Sequence, residues 1–374
     1  GVVKYCQGPI RWKSRMFLCG HEHLNWKARF PVLLREIVLH KPDLICLQEV
    51  DRYEEFKAYL ASKGYSGRFV KKSHRALDGC AVFWKISRIE IIDSEPVTLH
   101  AENVHVAIML RMRFGNRTFV VVNTHLKAGL EQPYEDFRVE QLKCLLERVK
   151  DFQRKNEDIV LCGDLNAHIE TYDSVKALAY PFLKQCGFLN AYGQYPLYTH
   201  WGGWIDCEVK VVFDYILYLG NIKVVKILEM PSEDVISSSP ERLPNNRYPS
   251  DHMSLVADLE FTLPPPPDPS QKSSPTPLQA LESHSFGKLK PPLFTSKSPR
   301  LSHSLPVHNP SISLSSISNA IKFILHDSGS GNNNNDLNGG DNNSGKSQGR
   351  QGSGSGSGSR ASGCSNPGKP GGSS

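Results

Sequence analysis

Acidic, amide and imidazole side chains come directly after five apolar, strand-like runs of this sequence. Such groups, placed at the ends of several strands, can converge on one rim of a sheet sandwich. Together they suit a hard divalent cation such as Mg²⁺, which prefers oxygen ligands, and an acid/base pair beside it. The five clusters are Gln48-Glu49, Asn123-Thr124-His125, Gly163-Asp164-Leu165-Asn166, Asp214-Tyr215 and Ser250-Asp251-His252.

The cluster at residues 163–166 shows the chemistry most clearly. In an extended chain, side chains two residues apart point to the same side, so Asp164 and Asn166 would face one site. An acceptor-only carboxylate beside an amide donor can orient a water molecule and stabilise the negative charge that develops on the group it attacks. Taken alone, such a tetrapeptide is more often a turn with an Asx side chain, and a lone His125 is more often a core histidine. The prediction therefore rests on the five clusters taken together in their order along the chain, and not on any single residue.

The cysteines favour free thiols in a reducing compartment. Nine are spread singly along the chain and form no CxxC pair, which fits neither a disulfide scaffold nor a zinc ribbon. The nearest approach to a zinc site is Cys19 with His21 and His23, but that group lacks a second half. With no secretory h-region and no run of about 18 apolar residues, we expect a cytoplasmic monomer without a membrane span.

The composition divides the chain after Leu263. Residues 264–374 hold 14 of the 25 Pro and 15 of the 29 Gly, so we expect a disordered tail. That tail has 10 Lys and Arg against 5 Asp and Glu, whereas residues 1–263 have 34 against 33. Of the formal net charge of +6, only +1 therefore belongs to the body, which gives no sign of an extended nucleic-acid surface. Within the tail, apolar residues at 312–325 predict either a short helix that docks on a protein partner or an apolar patch in a disordered segment.

The body alternates helical and strand-like patterns. The predicted helices cover residues 30–39, 134–152 and 173–186. The predicted strands cover residues 44–47, 80–84, 104–114, 117–123, 158–162, 209–219, 222–228 and 253–261. Because antiparallel hairpins are interspersed with helices, the pattern favours a layered α+β sandwich over a doubly wound parallel sheet.

The sequence resembles the exonuclease–endonuclease–phosphatase superfamily of deoxyribonuclease-I-like enzymes and, within it, the carbon-catabolite-repressor-type deadenylase branch. The resemblance rests on stretches that occur in family order: PDLICLQEVD (42–51), DGCAVF (78–83), THLKA (124–128), CGDLNA (162–167), FDYI (213–216), RLP (242–244) and YPSDH (248–252). It implies a four-layered α/β sandwich of two packed mixed β-sheets flanked by helices, with residues 1–263 as the catalytic domain. It also implies Mg²⁺-dependent attack of water on a phosphoester, with Mn²⁺ as a substitute.

The same resemblance implies roles for five catalytic residues. Asp164 matches the Asp that orients the attacking water, and Asn166 matches the Asn that supports the transition state. His252 matches the His that contacts the scissile phosphate, with Asp214 as its orienting partner. His125 matches a second phosphate-binding His.

Metal and substrate contacts follow from the resemblance in the same way. Glu49 matches the family's metal-ligating Glu, and Asp251 matches a further carboxylate near the metal. Lys127, two residues beyond the phosphate-binding His, could hold a substrate phosphate. Lys72 and Asn123 are the other expected substrate-binding residues.

Two departures from the family pattern bear on activity. In the family, a first strand ends in a Trp/Tyr-Asn-Ile/Val/Leu motif whose Asn lies beside the metal, and residues 1–27 contain no such motif. We therefore expect either a piece of a longer chain or a sheet in which the first strand is missing. In the second case the protein would be a catalytically inactive interaction platform. The other departure is Gly129, which stands where a member of this branch has an Arg that bears on its nucleotide substrate.

Two substrates stay open on the sequence alone. One is the 2′-phosphate of NADP(H), and the other is the 3′ end of poly(A) RNA. The nearly neutral body offers little for extended phosphate contacts, which weighs against long RNA. A mitochondrial pool is expected only if a presequence precedes Gly1.

Overall fold

The computed structural model describes residues 18–73, 76–99, 104–154, 157–171, 174–193, 198–204, 207–263 and 319–327. In this part of the chain the helices are α1 (His21–Leu24), α2 (Trp26–Leu39), α3 (Tyr53–Ser62), α4 (Gln132–Phe152), α5 (Ala179–Gln185) and α6 (Glu233–Ser237). The strands are β1 (Leu44–Gln48), β2 (Tyr65–Lys71), β3 (Gly79–Lys85), β4 (Ile89–Thr98), β5 (Val106–Phe114), β6 (Arg117–His125), β7 (Asp158–Asp164), β8 (Leu189–Asn190), β9 (His200–Trp204), β10 (Cys207–Val211), β11 (Asp214–Leu219), β12 (Ile222–Ile227), β13 (Leu255–Phe261) and β14 (Asn319–Asp327).

Two six-stranded sheets form the centre of the fold. The first sheet has the strand order β12-β13-β14-β1-β3-β2, and the second has the order β4-β5-β6-β7-β11-β8. Each sheet is mixed, because one parallel pair (β13 with β14, and β6 with β7) lies among antiparallel neighbours. Strands β9 and β10 form a separate antiparallel hairpin.

The apolar core is divided into layers by the sheets. Buried residues of both sheets meet in the central core, among them Val82 of β3 and Val121 of β6. The outer face of the second sheet packs against α4 and α5, where Leu145 is fully buried. The outer face of the first sheet packs against α2 and α3, where Ile37 is buried. The order helix, sheet, sheet, helix is the four-layered α/β sandwich that the resemblance implied, and that prediction is confirmed.

The parallel pair β6–β7 sets the position of the polar clusters. Parallel neighbours end at the same edge of a sheet, and His125 at the end of β6 pairs directly with Asp164 at the end of β7. Gly163 makes this close approach sterically feasible, since a Cβ at that position would lie 2.2 Å from the carbonyl oxygen of Thr124. The absence of a side chain at Gly163 therefore helps to bring an imidazole and a carboxylate to one edge.

The tail contributes a strand to the first sheet. Residues 319–327 form β14, which lies between β1 and β13, whereas the sequence predicted disorder or a helix for this part of the tail. The helical spacing of apolar residues over 314–325 was misleading, because pairing on both sides decides the conformation of such a short apolar run. The remainder of the predicted tail lies outside the described residues, as do residues 1–17 and thus most of the region searched for the first-strand motif.

Two other predicted elements are shorter than expected. The helix predicted over residues 173–186 is formed only at Ala179–Gln185. The strand predicted over residues 209–219 is divided into β10 and β11, because the backbone N–H groups of Phe213 and Asp214 donate to the Thr199 hydroxyl and leave the hairpin. No helix among the described residues is both long and apolar enough to cross a lipid bilayer.

Candidate active site

The polar clusters meet at one edge of the sandwich. Strand β1 ends just before Glu49, β6 ends at His125 and β7 ends at Asp164, while β11 begins at Asp214. The segment 250–252 reaches the same edge because Trp201 N–H donates to the Asp251 carbonyl and Met253 N–H donates to the Thr199 carbonyl. The structure thus brings the acids and imidazoles that the sequence singled out into one site.

Asp164 lies at the centre of this site. Its Oδ2 is 3.6 Å from Nε2 of His125 and 3.9 Å from Nε2 of His252. Its Oδ1 accepts a 2.9 Å hydrogen bond from the backbone N–H of Asn166. Burial raises the pKa of the Asp164 carboxyl well above its usual value, and the nearby Asp214 adds to the shift while the charge of His252 opposes it. A cation at this edge would offset the cost of keeping Asp164 ionised.

His252 is oriented by Asp214. Its Nδ1 donates to Oδ2 of Asp214 over 2.9 Å, so that Nε2 points toward Asp164. Burial opposes protonation of this imidazole, but the charge and hydrogen bond of Asp214 outweigh it and raise the pKa of His252 to about 10. His252 is therefore a cationic hydrogen-bond donor near neutral pH.

His125 has the opposite electrostatic character. Burial, assisted by the positive charge of Lys72, lowers its pKa well below the usual value, so the ring is neutral. Nζ of Lys72 lies 3.2 Å from Nδ1 of His125 and 2.5 Å from Oδ2 of Asp78. A lysine ammonium has no acceptor, so it donates to Nδ1 and leaves the proton of the neutral ring on Nε2, which faces Asp164.

Lys72 and Asp78 form a partly buried ion pair beside Glu49. Burial disfavours the charged lysine, but Glu49 and Asp78 raise the pKa of Lys72 above its usual value. Burial also raises the pKa of Glu49, against the opposing charge of Lys72. Glu49 has a backbone φ of 53° in the left-handed region, as Asn166 has at 49°, and strain of this kind tends to concentrate at functional sites.

Asp251 is held by a second imidazole that the sequence did not single out. Nδ1 of His200 lies 3.2 Å from the Val209 carbonyl, which can only accept, so this nitrogen carries a proton. Nε2 of the same ring lies 3.4 Å from Oδ2 of Asp251, to which it donates when the ring carries its second proton. Burial favours the neutral form of Asp251, but the hydrogen bond from His200 and the charge of His252 outweigh it and hold the pKa of Asp251 below its usual value.

Thr199 joins the segment that contains Asp214 to the segment that contains His252. Its hydroxyl accepts hydrogen bonds of 2.9 and 3.0 Å from the backbone N–H groups of Phe213 and Asp214, and its carbonyl accepts from the Met253 N–H over 2.7 Å. The short segment before β9 therefore sets the spacing between Asp214 and His252. Neither Thr199 nor His200 belongs to the family motifs, and their only signal in the sequence was their place just before and at the start of a strand that contains two Trp residues.

Asn166 and Lys127 lie near the position that the sequence predicted. The Asn166 amide donates to the Leu126 carbonyl over 3.2 Å, which places its side chain next to the end of β6. Lys127 is half-buried, with its Nζ 5.3 Å from the ring centre of Tyr134, and its backbone N–H donates to Gln141. Their roles in transition-state support and phosphate binding stay predictions.

The loop after Lys127 leaves no room for a side chain at Gly129. Its φ of 141° is one that L residues rarely adopt, and a Cβ there would lie 2.2 Å from the Tyr134 ring. The nearby Arg138 does not take the place of an exposed arginine. It is fully buried, paired with Glu135, and donates to the carbonyls of Lys127 and Gly129.

Asn123 corrects the sequence prediction. It was expected to bind substrate, but the residue is fully buried between the two sheets. Its amide nitrogen donates to the carbonyls of Leu47 and Ala81 at 3.0 and 2.9 Å, and its Oδ1 accepts from Gln48 over 2.6 Å. With these bonds satisfied, Asn123 joins β6 to β1 and β3 and has no face open to a substrate.

The donor chemistry of this edge fits a hard divalent cation. Three groups have ligand atoms within 4.8 Å of one another, and the last two share His252: Glu49 with Asp78 and His125, Asp164 with Asp214 and His252, and His200 with Asp251 and His252. Oδ1 of Asp214 and Oε1 of Gln48 are buried and have no hydrogen-bond partner among the described residues. The groups contain carboxylates and imidazoles and no thiolate, which suits Mg²⁺ or Mn²⁺ better than a structural zinc.

Comparison with known proteins supports the same family as the resemblance. Residues 21–252 match the Endonuclease/Exonuclease/phosphatase family. Human nocturnin is 33% identical over 270 residues, which cover 67% of this chain and 62% of that protein. A probable CCR4-Not complex 3′-5′-exoribonuclease subunit, Ccr4 from Encephalitozoon cuniculi, is 26% identical over 298 residues, covering 67% of this chain and 60% of the relative. The chain thus spans about three fifths of the length of these relatives.

A solved structure shows the same architecture. The human nocturnin catalytic domain with bound sulfate anion superposes with a TM-score of 0.53 at 29% sequence identity. The superposition covers 64% of this chain and 88% of that domain.

Proposed function

The chain belongs to the Endonuclease/Exonuclease/phosphatase family, and from this premise we propose that it is a divalent-metal-dependent phosphoesterase that hydrolyses a nucleotide phosphate. The observation that carries the proposal is the arrangement around Asp164. Its carboxylate faces one neutral and one protonated imidazole at 3.6 and 3.9 Å, and the protonated imidazole is fixed by Asp214. A water that Asp164 orients would therefore attack next to two groups able to contact the phosphate.

Each residue has a distinct part in this reaction. Asp164 accepts a hydrogen bond from the attacking water and directs its lone pair at phosphorus. His252 donates from Nε2 to a phosphate oxygen, where its positive charge stabilises the charge that develops in the transition state. His125 would donate from Nε2 of its neutral ring to a phosphate oxygen. Asn166, whose backbone N–H already binds Asp164, would add a side-chain amide donor at the same place.

The metal has a defined place in the proposal. Glu49 and Asp251 would hold Mg²⁺ or Mn²⁺, which would supply Lewis-acid polarisation of the phosphate. Asp251 is suited to this role, because His200 and His252 keep it ionised.

For the substrate we propose first the 2′-phosphate of NADP(H), which hydrolysis converts to NAD(H). A compact dinucleotide needs only local cationic contacts, which Lys127 would supply, while Lys72 would add its charge from beside His125. The body carries a net charge of only +1, which provides little for the extended phosphate contacts of a long RNA.

The second candidate substrate is the 3′ end of poly(A) RNA, released as adenosine monophosphates. Two observations favour it. One relative bears the name of a 3′-5′-exoribonuclease subunit. In addition, the backbone at Gly129 excludes the side chain that a dinucleotide-specific member of the branch carries there.

One assay tests both substrates. The purified chain is given NADPH, NADP⁺ and a 5′-labelled oligo(A), each with Mg²⁺ and with EDTA, and free phosphate and RNA ladders are measured. We expect metal-dependent turnover of one substrate, abolished by Glu49→Gln and by Asp164→Asn. Glu90→Gln is the matched control, because Glu90 forms an exposed ion pair with Arg113 on β5. No turnover of any substrate would refute the phosphoesterase and favour the inactive platform, and equal turnover in all variants would refute the site.

A further inference from the structure

We propose that residues 319–327 of this chain are a docking strand for its own body. The name "tail strand" denotes β14, and "strand slot" denotes the gap between β1 and β13 that it fills. The docked tail strand completes the first sheet and secures the catalytic edge. It lies beyond residue 252, where the family match ends.

Backbone pairing holds the tail strand on both sides. It runs antiparallel to β1 over five residue pairs, from Leu44–Phe323 to Gln48–Asn319. It runs parallel to β13 over seven pairs, from Leu255–Ile321 to Phe261–Asp327. Without it, β1 and β13 would each present an unpaired edge in the middle of the sheet.

The side chains of the tail strand alternate between two buried layers. Ile321, Phe323 and Leu325 are fully buried in the core between the two sheets. Ala320 faces the other way and joins the core beneath α2, and Nζ of Lys322 donates to the Glu36 carbonyl of α2 over 2.7 Å. Both faces of the strand therefore bury surface, as for an interior strand of a sandwich.

Asp43 and Arg88 form hydrogen bonds with the backbone of the tail strand near its C-terminal end. Asp43 is buried, and its Oδ2 accepts hydrogen bonds from Leu325 N–H at 2.8 Å and from Arg88 at 2.7 Å. Arg88 also donates to the Leu325 carbonyl over 2.9 Å, and Asp43 N–H donates to the Phe323 carbonyl over 2.7 Å. A buried carboxylate and an exposed guanidinium that both bind the strand backbone make the strand slot a built docking site.

Lys322 reduces the stability of the docked tail strand. It is fully buried in the middle of the strand, where an ammonium is expensive to desolvate. An apolar side chain of similar length would fill the same space without that cost. Backbone pairing and apolar burial therefore stabilise the docked tail strand, and the cost of desolvating the Lys322 ammonium opposes them.

The chain's own tail can reach the strand slot. Since β13 and the tail strand are parallel, the chain must return along the length of β13, which is roughly 23 Å for seven residues. Residues 264–318 lie between the two strands and span several times that distance when extended. A second copy of the chain is not needed to supply the strand.

The docked strand begins beside the catalytic edge. Its first residue, Asn319, pairs with Gln48, the residue before Glu49. Ala320 lines a small pocket together with Ser250 and His252. Loss of the tail strand would therefore leave Gln48, the residue before Glu49, without its strand partner Asn319.

Hydrogen exchange of the full chain tests the docking directly. We expect amides of residues 321–325 to exchange at least about 100-fold more slowly than amides of the Gly-Ser repeats at 352–359, because paired backbone must open before it exchanges. Exchange of both segments at the same rate would overturn the proposal. The readout needs no catalytic activity, so it stands or falls separately from the proposed phosphoesterase.

Two variants sharpen the test. Lys322→Met should slow exchange in the tail strand, β1 and β13 by at least about tenfold, whereas Lys290→Met in the same tail should leave it unchanged. Phe323→Asp should accelerate exchange in β1 and β13. Equal exchange in wild type and Lys322→Met would contradict the buried position.

Protection found only in a dimer fraction on size-exclusion chromatography would show that another copy supplies the strand, and would overturn docking by the chain's own tail.

Discussion

Asp214 accepts a 2.9 Å hydrogen bond from Nδ1 of His252. This bond decides which imidazole nitrogen faces Asp164, and it keeps the ring positively charged in a buried place. Because Thr199 binds the backbone of Asp214 and the segment of His252, the pair is fixed before any substrate arrives.

Asp214→Asn should lower kcat roughly 10²–10⁴-fold with little change in KM, because the amide no longer holds the imidazolium in its reactive orientation. Steady-state kinetics on the preferred substrate would measure the change. Glu90→Gln, at the exposed ion pair on β4, serves as the control that should keep wild-type kcat. A kcat within about twofold of wild type in Asp214→Asn would contradict the role of the pair.

His200→Ala should raise the Mg²⁺ concentration for half-maximal activity roughly 10–100-fold, because Asp251 loses the imidazole that orients it. His200→Gln retains an N–H donor and should recover part of this loss. Activity measured across a Mg²⁺ titration separates this effect from simple destabilisation. If the alanine and glutamine variants had the wild-type Mg²⁺ dependence, His200 would not position Asp251.

Lys127→Ala should raise KM about tenfold and change kcat and the Mg²⁺ dependence less, since a phosphate-binding ammonium acts on substrate binding. Lys143→Ala is the matched control, because Lys143 lies on α4 and pairs with Glu140. A larger effect on Mg²⁺ affinity than on KM would argue against phosphate binding by Lys127.

Asn123→Leu should reduce the free energy of unfolding by on the order of 3 kcal/mol, because the Leu47 and Ala81 carbonyls and the Gln48 amide would lose their buried partner. Urea denaturation measures the loss, and KM of the surviving folded enzyme should be unchanged. A stable variant with a raised KM would restore the substrate-binding role that the sequence suggested.

Lys322 should make the docking of the tail strand pH-dependent. Burial lowers the pKa of this ammonium from 10.5 to about 8. Below pH 8 Lys322 is charged in both the docked and the undocked state, so the full desolvation penalty opposes docking. Between pH 8 and 10.5 the docked lysine is neutral and the undocked lysine is charged. Docking then releases a proton and becomes more favourable as the pH rises. The difference in unfolding free energy between Lys322→Met and wild type should therefore be constant below about pH 8 and shrink above it. A difference that grows with pH would contradict burial of Lys322.

The parts of the fold with strong local signals could be predicted from the sequence. The apolar face of α4 and the hairpin around Gly115-Asn116 were recognisable because local spacing and turn residues decide them. Strand β4 was missed, because polar residues and a bulge between Ile91 and Asp93 break its alternation. The tail strand was missed because its conformation depends on a slot formed by segments far away in the sequence.

The candidate site could be predicted where a family motif coincides with the end of a strand, as at Glu49 and Asp164. Residues that act through a neighbour were missed, since nothing local marks them. Asp78 was recognised only as the first residue of the family stretch at 78–83, yet it pairs with Lys72 beside Glu49. His200 has no motif of its own, and its contact with Asp251 exists only after β9 and the 250–252 segment meet.

The position of β14 also sets an order for folding. Its partner on one side, β1, lies about 280 residues earlier in the chain, since Leu44 pairs with Phe323. Contacts of such sequence separation form late and slowly, because a long loop must close before they yield any stabilisation. During synthesis, β1 and β3 would therefore be made long before their sheet can close. The nascent body would have to keep an open apolar edge protected until residues 319–327 have been translated.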